Sequence, residues 1–117
     1  MLKKTLTYTD FNGEEQTETI MFHLSKEELI DLELSFDGGL DAEIKKAVDT
    51  KDNKGIMRMF TMLLINAYGE KSEDGRYFVK SEDSKHLFKS SAAYQALYFE
   101  LISDTDSAIA FFKGVIG

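Results

Sequence analysis

The spacing of apolar side chains along this chain changes once. Up to Leu24 it is two: Leu6 and Tyr8 alternate with Thr5 and Thr7, and Ile20, Phe22 and Leu24 alternate with Thr19, Met21 and His23. That is the period of a strand with one wet and one dry face. Asp10-Phe11-Asn12-Gly13 separates the two runs, and Asn-Gly takes the positive φ angles of a tight turn readily. The pattern predicts a β-hairpin over residues 2–24. A lone hairpin is marginal in water, so its apolar face must pack on helices or on another chain.

From Ser25 onward the spacing widens to three and four. Ser25-Lys26-Glu27-Glu28 has capping-box spacing, in which the Ser25 hydroxyl accepts the Glu28 N–H and the Glu28 carboxylate reaches back. The helix it opens carries Leu29, Ile30, Leu32 and Leu34, and stops at Asp37-Gly38-Gly39 after Phe36. A shorter helix over about residues 41–49 is expected to bury Ile44, Ala47 and Val48. Residues 53–68, NKGIMRMFTMLLINAY, form the longest helical run. At about 100° per residue, Ile56, Phe60, Leu63, Leu64 and Ala67 share a face, while Met57, Met59, Met62 and Ile65 spread over the rest. A helix without a polar stripe is either encased or covered by a partner.

Gly69 is expected to end that helix and Glu70 to Arg76 to form a charged loop, while Tyr77-Phe78-Val79 reads as an extended run too short to assign. Ser81 caps a helix anchored by Leu87 and Phe88. A break at Ser90-Ser91 precedes a helix with Tyr94, Leu97, Tyr98, Leu101 and Ile102 on one face. Ser103 or Asp104 caps a last helix, with Ala108, Phe111, Phe112 and Val115 as its buried stripe, ending between Gly114 and Gly117. The expected fold is α+β and mostly α: an N-terminal hairpin (1–24) packed on a bundle of five or six short helices (25–117), in one domain.

Composition narrows the function without naming it. The 117 residues are about one domain's worth, and nine Phe and five Tyr suit a packed core. Fourteen basic against twenty-one acidic residues give a net charge of −7, which repels phosphate backbones and anionic membranes. No Cys is present, so there is no disulfide framework and no thiolate metal site, as suits a reducing cytoplasm. No run has the length of a signal peptide's apolar core or of a membrane span.

Candidate chemistry is sparse. The two histidines, His23 and His86, read as surface residues rather than as ligands. The acidic loops lack the alternating oxygen ligands of a calcium loop, and Gly38-Gly39 is not followed by the Lys-Ser or Lys-Thr of a phosphate loop. With no nucleophile elbow or cofactor fingerprint, neither an enzyme nor a cofactor is expected. Glu33 falls inside the apolar arc of its helix, either reaching out to water or awaiting a partner's Lys or Arg. Met57, Met59 and Met62 either fill gaps around a central helix or face a partner, since methionine adapts to varied helical surfaces.

The opening KKTLTYTDFNGEEQTETIMFHLSKEELIDLELSFDGGL, the middle INAYGEKSEDGRYFVKS, and the ending in which Tyr94 to Leu101 precedes Asp104 to Ile116 resemble the tail assembly chaperones of long non-contractile-tailed phages and prophages of Gram-positive bacteria. The resemblance implies a non-enzymatic protein that coats the helical tape measure protein, keeps it soluble in the host cytoplasm, and leaves before the virion is finished. It implies a homo-oligomer too, and a longer frameshifted form that recruits the tail tube protein; this chain, ending at Gly117, looks like the short form. An apolar groove bearing Met57, Met62 and Ile65, with Leu29 and Glu33 of the first helix, is the expected partner site. The alternatives are a structural tail protein retained in the virion and, from its acidity, a DNA-mimicking inhibitor, against which the scattering of carboxylates among lysines argues.

Overall fold

The computed structural model describes residues 1–116. Its elements run β1 (Leu2–Thr9), β2 (Glu15–Phe22), α1 (Lys26–Ser35), α2 (Leu40–Asp49), α3 (Asn53–Ala67), β3 (Tyr68–Lys71), β4 (Phe78–Val79), α4 (Glu82–Lys89), α5 (Ala92–Ser103) and α6 (Thr105–Ile116). Gly117, where the last helix was expected to end, lies outside the described residues. The fold is α+β, mostly α, as the pattern predicts.

The hairpin forms as expected, and its strands pair with Leu2 opposite Phe22, Leu6 opposite Glu18 and Thr9 opposite Glu15. Its wet face is a ladder of threonines, Thr5 bonded to Thr19 at 2.9 Å and Thr7 to Thr17 at 3.0 Å. Such cross-strand hydroxyl pairs each add a few tenths of a kcal/mol, of order 0.2–1. The turn differs in detail from the expectation. Gly13 takes φ +80° and Asn12 does not, because the Asp10 carboxylate accepts the N–H groups of Asn12 and Glu14 at 2.9 Å each and holds a wider loop.

The hairpin does not stand alone. Antiparallel pairing of β2 with β3 and of β3 with β4 extends it to a four-stranded sheet in the order β1-β2-β3-β4. Residues 68–71 are thus a strand rather than a helix stop and loop. Tyr68 turns straight from α3 into extended backbone, and Gly69 has no positive φ. The glycine is needed for another reason: a Cβ there would run into the Phe78 ring and the Val79 carbonyl of the neighbouring strand.

Phe22, fully buried, lies at the junction of sheet and helices. Its ring meets Phe88 edge-on at 5.9 Å and Phe111 at 5.4 Å, while Tyr68 and Phe88 stack at 4.1 Å, 2° from parallel. Phe60 of α3 stacks on Phe112 of α6 at 4.4 Å. Burial of each such side chain is worth roughly 2–3 kcal/mol. On α3 the expected five residues are buried, together with Met59.

Five residues expected on apolar faces are exposed instead: Ile30 and Leu34 of α1, Val48 of α2, Leu87 of α4 and Ile102 of α5. Helix α1 buries nothing: Ile30 is 57% and Leu34 81% exposed. These two lie about 100° and 140° round the helix from Leu29, on the side away from Leu32, and only Leu29 and Leu32 pack against the core. Val48 of α2 and Leu87 of α4 are also exposed, each one residue along from the buried side chain, Ala47 or Phe88, that fixes its helix's rotation.

The caps fall where the sequence places them. Ser25 and Glu28 exchange both bonds of the capping box, at 3.1 and 2.9 Å, and Ser81 caps α4 in the same way with Ser84. Asp104, one of the two expected caps, opens α6, and Ser91, expected only as part of a break, caps α5.

Candidate functional site

Exposed apolar surface gathers on α5. Phe99 is 72% and Ile102 48% exposed, three residues apart on one side of the helix. Tyr98, half-buried, is one turn from Ile102. Across from them α3 presents Met57 and Ile56, and the two helices enclose an open furrow of about 630 Å³. Asn53, Lys54, Arg58 and Thr61 form its polar rim. An apolar floor with a cationic edge suits the apolar stripe of a helix that carries acidic residues on its flank.

The geometry follows from rotation about the two helix axes. On α3 the buried residues Ile56, Met59, Phe60, Leu63, Leu64 and Ala67 leave Met57 and Met62 at the margins of the outward side and Ile65 near its middle, between the exposed Lys54 and Arg58. On α5, Tyr94, Leu97 and Leu101 are buried. Phe99 then falls roughly 170° from the middle of that stripe.

Of the five expected site residues, Met57 alone lines this furrow. Met62 and Ile65 are half-buried and packed against the core, and so is Leu29 on α1. Glu33 has a different task. Its Oε2 accepts the Leu40 N–H at 3.2 Å, at the start of α2, where Gly39 in a left-handed conformation (φ +89°) offers no side-chain cap of its own. The carboxylate inside the apolar arc is thus explained by a helix N-terminus within the chain.

Phe99, Tyr98 and Ile102 were not expected in a site. The signal was present: AAYQALYFELIS carries three polar residues, Gln95, Glu100 and Ser103, so α5 also lacks a continuous polar stripe.

A second group of side chains fixes α1 against the sheet. Lys80 donates to both carboxylate oxygens of Glu28 at 2.8 Å each and to the His23 carbonyl at 2.7 Å. Burial pushes the Glu28 carboxyl up, but the hydrogen bonds from Lys80 and Ser25 outweigh it and hold the pKa below the ordinary range. Burial, the N-terminal amine and Lys80 all push the His23 imidazole down, and it packs edge-on against Phe78 at 5.7 Å. Among the described residues no three His, Asp or Glu side chains are grouped to hold a metal ion, and no helix is long and apolar enough to cross a membrane.

The model of a protein family described as phage tail assembly chaperone matches residues 1–117. No curated protein and no solved structure matches the chain.

Proposed function

The chain belongs to the phage tail assembly chaperone family, and from that premise we propose that it binds the tape measure protein and keeps it soluble while the tail is built. The reading is non-enzymatic, places the chain in the cytoplasm of the bacterial host, and has it depart before the virion is complete. A tape measure protein is largely long amphipathic helix, and an unassembled helix of that kind needs its apolar stripe sheltered from water. The observation that carries the reading is the furrow between α3 and α5, with Met57, Tyr98 and Ile102 along it and Phe99 beside it in solvent. Methionine and aromatic side chains together give adaptable contact area.

Co-expression tests this. The tape measure protein should stay in the soluble fraction with the wild-type chain and precipitate with the double variant Phe99→Asp, Ile102→Asp. Circular dichroism and the melting temperature of the variant should match the wild type, because both side chains are already exposed. Alanine at Met62 and Ile65 tests the outer strip of α3 in the same assay. Equal solubilisation by every variant would reject this site, and no solubilisation by the wild type would reject the function. Recovery of the chain from purified particles by mass spectrometry would overturn its departure.

A further inference from the structure

The tip of the hairpin presents an aromatic ring that the fold does not use. Phe11 is 75% exposed, in a turn that is held firmly. Asp10 N–H donates to the Glu14 carbonyl at 2.8 Å and Gly13 N–H to the Asp10 carbonyl at 3.0 Å. The Asp10 side chain accepts from Asn12, Glu14 and Gln16 at 2.9 Å each. The ring is therefore offered at a fixed place rather than on a loose loop, which lowers the entropy lost when something covers it. Its surroundings are all of one sign. Between Thr5 and Ser25 the chain has Asp10, Glu14, Glu15 and Glu18 and no Lys or Arg. Asp10 is engaged in the turn and Glu18 accepts from Tyr8 at 2.8 Å, while the exposed Glu14 and Glu15 side chains have no bonded partner among the described residues.

A complementary recess exists elsewhere on the same chain. Helices α2, α3 and α6 enclose a hollow of about 400 Å³, walled by Ile44, Val48 and Ile109 and floored by the stacked rings of Phe60 and Phe112. Lys45 and Lys113 stand at its mouth with one carboxylate, Asp41, and neither lysine is in an ion pair among the described residues. A phenyl ring fits such a volume, and an aromatic floor favours edge-on or offset contact with it. The two lysines face the sign of charge carried by Glu14 and Glu15.

We infer that the hairpin tip of one copy of this chain inserts Phe11 into the α2–α3–α6 hollow of a second copy, with Glu14 and Glu15 paired to Lys45 and Lys113. The occupant is another copy because the knob and the socket, opposite in sign, both belong to this chain, whose own Phe11 stands in solvent. Knob and socket are different surfaces, so the contact is head-to-tail, and each copy that docks leaves one knob and one socket open. Repetition gives a ring or a helical array. This does not rest on the identity of the tail protein bound in the α3–α5 furrow.

Sedimentation velocity on the full chain tests it. Wild type should populate species heavier than one chain as concentration rises, and added salt should dissociate them. Phe11→Ala, and separately Lys45→Glu with Lys113→Glu, should each weaken association by about tenfold or more, with unchanged circular dichroism. Mixed together, the two variants should give a complex of two chains and nothing larger, since only one intact knob and one intact socket remain. A wild type that stays monomeric at every concentration overturns the inference. So do oligomers unaffected by Phe11→Ala, a mixture that fails to pair, and a lysine variant that loses tape measure binding while self-association is unchanged, which would give the hollow to that protein.

Discussion

Lys80 grips Glu28 by both carboxylate oxygens at 2.8 Å, across 52 residues of chain, and its side chain is only 13% exposed. The pair joins the start of α1 to the connection between β4 and α4, and Glu28 also completes the Ser25 capping box. Replacing Lys80 with Met would leave the carboxylate half-buried without its partner. The expected loss is about 1–3 kcal/mol of stability in urea denaturation. Amide exchange in α1 should speed up more than in α3.

The same carboxylate gives the stability a sign in pH. The folded-state pKa of Glu28 is lowered, so its contribution is complete above the unfolded value of about 4.3. It is lost as the pH falls through the depressed folded value. The stability gap between wild type and Lys80→Met should therefore be full at neutral pH and close on acidification below about pH 4. Melting temperatures across an acid series check this, and a gap that widens in acid would contradict it.

Glu33 caps α2 from outside that helix. Glu33→Ala should cost about 0.5–1 kcal/mol, and Glu33→Gln, which keeps a carbonyl acceptor, should cost less. Gly39→Ala should be worse than either, at about 1–2 kcal/mol, because φ there is +89° and the new methyl would meet the Glu33 carboxylate. Chemical denaturation of the three variants gives the order directly.

Two helical leucines, one buried and one exposed, should respond differently to truncation. Leu63 on α3 is fully buried and Leu34 on α1 is 81% exposed. Leu63→Ala is expected to lose about 2–5 kcal/mol, and Leu34→Ala to stay within about 0.5 kcal/mol of wild type. A large loss at Leu34 in the isolated chain would mean that its flank is covered in solution.

Strong local periodicity was legible in advance. The period of two in the hairpin, the five-residue stripe of α3 and the Ser25 and Ser81 caps all follow from spacing and hydroxyl chemistry, and the structure has each. What spacing does not carry is how far a helix is rotated against its neighbours. That rotation decides that Leu34 and Phe99 face water while Met59 does not. Strand β3 was missed and β4 was left unassigned because each pairs with a sequence-distant or very short partner, so the ladder rather than the local composition specifies them. Glu33 was misleading for a similar reason. Its partner, the Leu40 N–H, lies beyond a glycine turn whose path the helical projection does not follow.

Helix α1 is fastened by polar contacts, the Lys80–Glu28 clamp at its start and the Glu33 bond near its end, and contributes no fully buried side chain to the core. Selection can therefore rewrite its outer flank codon by codon while the rest of the domain keeps its architecture. Descendant proteins facing a different morphogenetic system would inherit an intact scaffold with one panel left open to revision.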